Sequence, residues 1–204
     1  MDELHKALGD ISNIRRQVAR TTEFRGYGPA TLAVTGLFAV LAAGVQGRWI
    51  PQPALHLSKY VGLWCGTALV SAVLAGVQMY TRSRRIHSGL SDEMIHMAVE
   101  QFLPALGAGL LLTVVLLRTH PDLAWMLPGL WQVIFSLGLL ASCRFLPRPI
   151  ILAGVWYLLA GLICIGLGGN RALSPWAMAL PFGAGQMLVA AILFFSAKES
   201  GDEG

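Results

Sequence analysis

Six apolar stretches occupy the chain from Pro29 to Ala197, separated only by short connections. Each is about 20 residues long, the length of helix that crosses the hydrocarbon core of a bilayer. A membrane-spanning chain must satisfy its backbone hydrogen bonds as helices or as a closed barrel, and these stretches lack the alternation of barrel strands. The sequence therefore predicts an all-α polytopic membrane protein with six transmembrane helices, near Pro29–Gln46, Leu57–Tyr80, Met97–Leu117, Ala124–Cys143, Ile150–Gly168 and Ala177–Ala197.

Charged residues make up only 13% of the chain, against roughly 25% in soluble domains. The net charge of +4 does not indicate nucleic-acid binding, because the Lys and Arg residues lie at the ends of the apolar stretches. The first apolar stretch follows a long charged segment, so we expect it to remain in the protein rather than to be cleaved as a signal peptide. The predicted organisation is a cytoplasmic amphipathic helix (1–26), a six-helix bundle (27–197) and a short acidic cytoplasmic tail (198–204).

Basic residues are divided unevenly between the two faces of this predicted bundle. One face has eleven Lys and Arg residues and the other has four. Because cytoplasmic loops are enriched in Lys and Arg, this count predicts that both termini are cytoplasmic. Trp49, Trp125 and Trp176 then fall at the outer boundary, as in an interfacial aromatic belt. The eleven are Lys6, Arg15, Arg16, Arg20, Arg25, Arg82, Arg84, Arg85, Arg144, Arg148 and Lys198, and the four are Arg48, Lys59, Arg118 and Arg171.

The segment before the first span carries an apolar stripe at helical spacing. A helix of this kind can lie in the headgroup layer with its basic residues on anionic lipid. Its stripe can also pack on a second copy of itself or on a cytoplasmic protein partner. We expect lipid binding or self-docking, with partner binding as the alternative. The stripe consists of Leu4, Ala7, Leu8, Ile11, Ile14 and Val18, and the basic flank of Lys6, Arg16 and Arg20.

The fourth and sixth spans share a pattern, because ten positions separate Gln132 from Ser142 and Gln186 from Ser196. Three duplicated hairpins would explain the match, and such repeats occur in transporters as well as through plain duplication. Small residues also recur four positions apart, which lets helices approach closely in lipid. These steps predict packing within the chain or, alternatively, a seam of a homo-oligomer. They are Ala39/Ala43/Gly47, Gly62/Gly66, Gly138/Ser142 and Ala179/Gly183.

Glu100 is the one acidic residue within a predicted span, and it follows His96 by one helical turn. This spacing places both residues on one helix face. Acidic residues within membranes serve as proton relays or ion sites, so the pair is a candidate polar or ion site. Near the cytoplasmic boundary, however, Glu100 can simply pair with an arginine of the preceding loop. We expect structural pairing and retain the ion site as the alternative.

Gln132 and Gln186 lie about a turn below a proline on the outer side of their spans. Hydrogen bonding between helices is the simplest role for such residues in lipid. A polar cavity around both is the functional alternative. Pro104, Pro128 and Pro181 strengthen that alternative, because a proline within a helix frees a backbone carbonyl that can line a cavity.

Motifs for catalysis and for cofactors are missing from the sequence. It has no nucleophile elbow, phosphate loop, zinc motif or catalytic carboxylate pair, so we expect no enzyme activity. We also expect no cofactor, because no histidine falls in the middle of a span, where a haem would find an axial ligand. Cys65, Cys143 and Cys164 have neither a CxxC pattern nor metal-ligand spacing, which indicates small packing residues.

Three short motifs occur in order along the chain: Ile14-Arg15-Arg16, Phe145-Leu146-Pro147-Arg148 and Leu180-Pro181-Phe182-Gly183-Ala184-Gly185-Gln186. In this order they resemble the motifs of a group of small bacterial six-span proteins whose activity is not established. The resemblance implies a multi-pass protein of the bacterial inner membrane. It implies no activity and no role for any residue.

Together these patterns predict a non-enzymatic integral membrane subunit with an accessory, scaffold or signalling role. Its partners would be the lipid bilayer and a membrane or cytoplasmic protein, or further copies of the same chain, and not nucleic acid. One alternative is a small transporter or channel with a polar cavity near Gln132 and Gln186. A second alternative is a redox subunit that binds haem or quinone.

Overall fold

A computed structural model describes the backbone of residues 28–86, 89–143 and 149–202, and their side chains except at 79, 82–99, 101 and 196–202. Six segments in these ranges are helical, long and apolar enough to cross a membrane: Pro29–Trp49, Leu57–Gln78, Phe102–Thr119, Pro121–Ser142, Ile150–Leu167 and Gly169–Phe195. The prediction of an all-α, multi-pass membrane protein is therefore confirmed. The helices are α1 (Pro29–Trp49), α2 (Leu57–Ile86), α3 (Gly89–Thr119), α4 (Leu127–Ser142), α5 (Ile150–Leu167), α6 (Gly169–Ala172) and α7 (Pro175–Asp202), with 3₁₀ turns at Pro53–Leu55 and Pro121–Met126.

Several of these helices begin or end at a proline or glycine. α1 begins at Pro29, where the fixed φ of proline suits the first helical turn and its missing N–H is not needed. α5 ends at Leu167, because Gly168 and Gly169 follow with φ values of 66° and 48°. Glycine enters this left-handed region without steric cost. The two glycines therefore turn the chain from α5 into α6 and onward to α7.

Three connections, 50–56, 120–126 and 168–174, lie together at one end of the bundle. There α6 contacts the 3₁₀ turn Pro121–Met126, and Gly47 of α1 lies beside Pro175 of α7. Because Trp49, Trp125 and Trp176 belong to this region, we call it the tryptophan end. The arrangement means that consecutive spans run antiparallel.

Around the bundle, the helices contact one another in the order α2, α1, α7, α5, α4, α3. The most extensive contacts join α1 to α7 and α4 to α5. By contrast, α2 and α3 follow each other in the chain and have few contacts with each other. The ring of helices is therefore open between α2 and α3.

Pairs of glycines lie at the two most extensive helix contacts. A Cβ on Gly129 of α4 would lie 2.7 Å from the carbonyl oxygen of Gly161 on α5, and the reciprocal distance is also 2.7 Å. Where α1 crosses α7, a Cβ on Gly36 would lie 3.2 Å from the carbonyl oxygen of Gly183. Small residues allow such close backbone contact, which is a main source of helix association in lipid.

Burial divides the six spans into two groups. In α1, α4, α5 and α7, 33% or 39% of the apolar span is buried, against 11% in α2 and 6% in α3. We call the first four the core helices and the other two the flanking helices. The flanking helices have apolar surfaces that no described residue covers.

The small residues that recur four positions apart occur on both the core helices and the flanking helix α2. Ala39 and Ala43 of α1 are buried against α7, and Gly138 of α4 lies against α3. Gly62 and Gly66 of α2 differ, because a Cβ at either position would have no described atom within 4 Å. Packing within the chain therefore accounts for the steps on the core helices and not for the step on α2.

Candidate functional site

The connection between α5 and α7 is buried at the tryptophan end of the core. Ala172 and Leu173 are fully enclosed, and Met178 and Ala179 at the start of α7 are also buried. The connection includes residues outside regular helix, and buried backbone groups of this kind require hydrogen-bond partners. Three side chains from other parts of the bundle supply donors to its carbonyl groups and to the first turn of α7.

Gln46 of α1 provides the first of these donors. Its Nε2 donates to the carbonyl oxygen of Leu173 at 2.8 Å, and its Oε1 accepts from Nε1 of Trp64 on α2 at 2.8 Å. One buried amide therefore joins α1, α2 and the α5–α7 connection. Gln46 is not among the site residues that the sequence predicts. The available signal was its spacing from Ala39 and Ala43, which places a polar residue on the packing face of α1.

Gln132 of α4 provides the second donor. Pro181 has no N–H, so the carbonyl oxygen of Ala177 four residues earlier lacks its helical partner. Gln132 Nε2 donates to that oxygen at 2.8 Å and lies 3.7 Å from Sδ of Met178. The predicted effect of Pro181 and the predicted role of Gln132 between helices thus meet in one hydrogen bond.

Further hydrogen bonds fix the core helices around this site. The third donor to the connection is the Cys164 thiol, which lies 3.6 Å from the carbonyl oxygen of Ala172. Deeper in the bundle, the Ser136 hydroxyl of α4 donates to the carbonyl oxygen of Gly154 on α5 at 2.7 Å. Trp156 Nε1 of α5 donates to the carbonyl oxygen of Pro181 at 3.0 Å. These bonds orient α4, α5 and α7 relative to one another.

Three buried polar atoms have no hydrogen-bond partner among the described residues: Tyr60 Oη, Gln132 Oε1 and Tyr157 Oη. All three side chains are fully buried. The Tyr60 ring stacks on the Trp131 ring, with centroids 6.5 Å apart and an interplanar angle of 6°. The Tyr157 ring lies instead among aromatic side chains, 4.8 Å from Phe135. The two hydroxyl groups are thus in different surroundings.

The structure does not bring Gln132 and Gln186 together. The amide of Gln132 bonds Ala177, and Gln186 lies nine residues further along α7, about 13 Å at 1.5 Å per residue. Gln186 is half-buried and faces α1, where a Cβ on Gly36 would lie 3.0 Å from its own Cβ. Gln132 thus lies against the start of α7, and Gln186 lies against α1.

The remaining predicted site residues are His96 and Glu100 on α3, away from the tryptophan end, and the residues of the amphipathic segment, which precedes α1 in the sequence. Glu100 lies on α3 and is exposed, and the side chain of His96 is outside the described residues. The amphipathic segment is also outside the described residues, as are the side chains of the acidic tail. This applies to Leu4, Leu8, Ile11, Ile14, Arg16, Val18 and Arg20, so their predicted lipid or partner contacts stay predictions.

Candidate metal and haem ligands are few in the described part of the chain. Among the side chains that the structure describes, no three of His, Cys, Asp or Glu lie together in a group that could hold a metal ion. The described histidines, His56 and His120, are exposed in the connections at the tryptophan end. The site is therefore a network of neutral side chains that bonds backbone carbonyls.

No protein-family model, curated protein or solved structure matches this chain.

Proposed function

We propose that this protein is a non-enzymatic accessory or scaffold subunit of the bacterial inner membrane that binds a transmembrane helix of a partner protein along α2. One observation carries the proposal. α2 has three glycines, Gly62, Gly66 and Gly76, and a Cβ at any of them would have no described atom within 4 Å. Glycines in transmembrane helices commonly allow close approach of a second helix, and here that second helix is not part of the described bundle.

The glycines of the core helices can be compared with those of α2. At Gly129 and Gly161, the absence of side chains allows two backbones to meet. On α2, Gly62, Gly66 and Gly76 are spaced so that they fall on one helix face, with Leu69 and Val73 between them at intervals of three and four. Leu69 is 65% exposed and Val73 is 56% exposed. This face thus has the composition of a helix-packing surface without the partner.

The exposed face of α3 differs from that of α2 in its side chains. Its most exposed side chains are large and aliphatic, including Leu103, Leu106, Leu110 and Leu111, which are between 54% and 67% exposed, and it has one open glycine, Gly107, against three on α2. Large aliphatic side chains suit contact with lipid tails, which are as apolar as leucine. This contrast supports a partner helix on α2 and lipid on α3.

Both ends of α2 are held by hydrogen bonds to α1. Near the tryptophan end, Trp64 bonds Gln46, and near the other end Gln78 Oε1 accepts from the backbone N–H of Gly28 at 3.2 Å. Gly66, Leu69, Val73 and Gly76 lie between these two bonds, and Gly62 lies two residues before Trp64. A partner helix could therefore pack on the glycine face without displacing α2 from the bundle.

The native mass of the complex, extracted from its own membrane in mild detergent, tests the proposal. We expect a species heavier than the 21.9 kDa chain by the mass of a different protein. Gly66→Leu should abolish it because the added side chain blocks the close approach. Gly44→Leu is the matched control, since Gly44 is also exposed within a span, on α1, with no described atom within 4 Å of a Cβ.

Two results would overturn this proposal. Complexes at whole multiples of the chain mass would mean that α2 binds a second copy instead of a different protein. Loss of the complex in both glycine variants, or in neither, would mean that the α2 face is not where the partner binds.

The proposed orientation has both termini in the cytoplasm. It is supported by the division of eleven Lys and Arg residues against four between the two faces. Reporter fusions at Gly204 and at Pro121 should then give activity on opposite sides of the membrane. Activity on the same side at both positions would contradict the orientation and the six-span topology.

The transporter and redox alternatives find less support in the site. Gln132 uses its amide N–H to satisfy the carbonyl of Ala177, which is a packing role, and Gln186 lies apart from it. The exposed positions of His56 and His120 do not provide buried ligands for a haem between spans. The accessory role therefore accounts for more of the observed packing.

A further inference from the structure

Two fully buried oxygens beside the α5–α7 connection have no partner among the described residues. One is Tyr60 Oη of α2 and the other is Gln132 Oε1 of α4. A buried polar group without a hydrogen bond is costly, and in a membrane protein lipid offers it no alternative partner. The two atoms also have complementary chemistry, because a phenol both donates and accepts, whereas an amide oxygen only accepts.

The two side chains share one neighbourhood. Tyr60 belongs to the same buried cluster as Met178, and Gln132 Nε2 lies 3.7 Å from Sδ of Met178. The Tyr60 ring stacks on Trp131, the residue next to Gln132 in α4. The thiol of Cys164 lies 3.6 Å from the carbonyl oxygen of Ala172, the residue before Leu173, which belongs to the same buried cluster as Tyr60. Tyr60, Gln132 and Cys164 therefore all lie near the α5–α7 connection or the start of α7.

We propose that a water molecule is bound between Tyr60 Oη and Gln132 Oε1, linking the flanking helix α2 to the core helix α4. The water accepts a hydrogen bond from the Tyr60 hydroxyl and donates one to Gln132 Oε1. Buried waters make about three hydrogen bonds, and the sulfur of Cys164 can accept the third. A quinone carbonyl would not suffice, because it has no proton to donate to Gln132.

A cation fits this region less well than water. The carbonyl oxygens of Ala172, Leu173 and Ala177 already accept hydrogen bonds from Cys164, Gln46 and Gln132. None of these donors or of the residues packed around Tyr60 carries a carboxylate that would balance the charge. A neutral molecule with both a proton and a lone pair is the better match.

Tyr157 provides a matched control within the same protein. Its hydroxyl is also fully buried and without a described partner. Its ring is surrounded by Phe135 and Phe182, with centroids at 4.8 and 5.2 Å, and its phenol lies against Gly185. Apolar surroundings of this kind remain dry. We therefore expect no bound water at the Tyr157 hydroxyl, which has aromatic neighbours and no described hydrogen-bond partner.

Infrared spectra of the protein in lipid films, dried until bulk water bands are lost, test for the bound water. We expect an O–H stretching band that shifts when the film has been equilibrated with H₂¹⁸O. The band should be present in the parent protein and in Tyr157→Phe, and absent in Tyr60→Phe. A parent spectrum without an ¹⁸O-sensitive band would overturn the proposal, whatever the folding state of the variants.

Thermal unfolding of the same proteins gives an independent measurement. Tyr60→Phe should lower the melting temperature, because the water loses its donor and Gln132 Oε1 loses its partner. Tyr157→Phe should leave the melting temperature unchanged or raise it, because it removes an unpaired hydroxyl. Equal shifts in the two variants would overturn the proposal.

Discussion

The core and flanking helices contain similar residues but use them differently. In the core, glycines contact backbone at the α1–α7 and α4–α5 crossings, and buried amides bond carbonyls of the α5–α7 connection and of the first turn of α7. In the flanking helix α2, glycines face away from every described residue. Because lipid is as apolar as the helices, apolar composition alone does not indicate which helices pack together. Small residues and polar contacts are the better guides.

The same comparison can be made between α2 and α3. Both are largely unburied, with 11% and 6% of their spans buried. α3 is attached along α4, where Trp131 Nε1 donates to Thr113 Oγ1 at 2.8 Å, and it presents leucines outward. α2 is attached near its ends and presents glycines. Low burial therefore has two meanings here, a surface suited to lipid and a surface suited to another helix.

The largest difference should appear between Gly161→Ala in the core and Gly66→Ala on α2. A Cβ on Gly161 would lie 2.7 Å from the Gly129 carbonyl oxygen and 3.0 Å from the Val133 backbone nitrogen. Backbone cannot rotate away as a side chain can, so we expect a loss of about 3 kcal/mol in unfolding free energy. Gly66→Ala should change it by no more than about 0.5 kcal/mol, since the site is open.

Reversible unfolding in mixed detergent micelles measures both values under the same conditions. Similar losses of unfolding free energy for the two substitutions would contradict the distinction between core and flanking helices. Such a result would mean that α2 is packed as tightly as α5.

An intermediate effect is expected where Gln132 bonds α7. Gln132→Leu leaves the Ala177 carbonyl unpaired, which should cost about 2 kcal/mol. Pro181→Ala restores a backbone N–H that can bond that carbonyl. In the Pro181→Ala background, Gln132→Leu should therefore cost less than half as much in the same unfolding assay. An equal cost in both backgrounds would mean that Gln132 acts through another contact.

The smallest effect on either group of helices should come from the amphipathic segment. Replacing Leu8, Ile11 and Val18 with Ser should release this segment from the membrane surface, because its basic residues contribute only roughly 1 kcal/mol each on anionic lipid. Bundle stability should not change. Limited proteolysis should become much faster near Arg15, Arg16 and Arg20. Unchanged cleavage would mean that the stripe is not docked, and protection only with a co-purifying protein would identify a partner-binding helix.

The spans and their number could be predicted from the sequence, because the apolar runs have the length of a bilayer crossing. The role of Gln132 between helices was also among the predictions. The order of helices around the bundle was not, because lipid-facing and buried faces are equally apolar in this chain. Gln46 was missed since it lies at the end of its predicted span, where a polar residue is unremarkable, and its partner Leu173 is far away in the sequence.

Cross-linking from α2 and from α3 in native membranes tests the central claim most directly. Cys65 is exposed on α2 beside Gly66, and Leu110 is 64% exposed on α3. With Cys143→Ser to remove the half-buried thiol, a short bis-reactive linker on Cys65 should join this chain to a different protein. The same linker on Leu110→Cys, with Cys65→Ser, should give no such adduct. Adducts from Leu110→Cys alone, or equally from both positions, would contradict the assignment of the partner to α2.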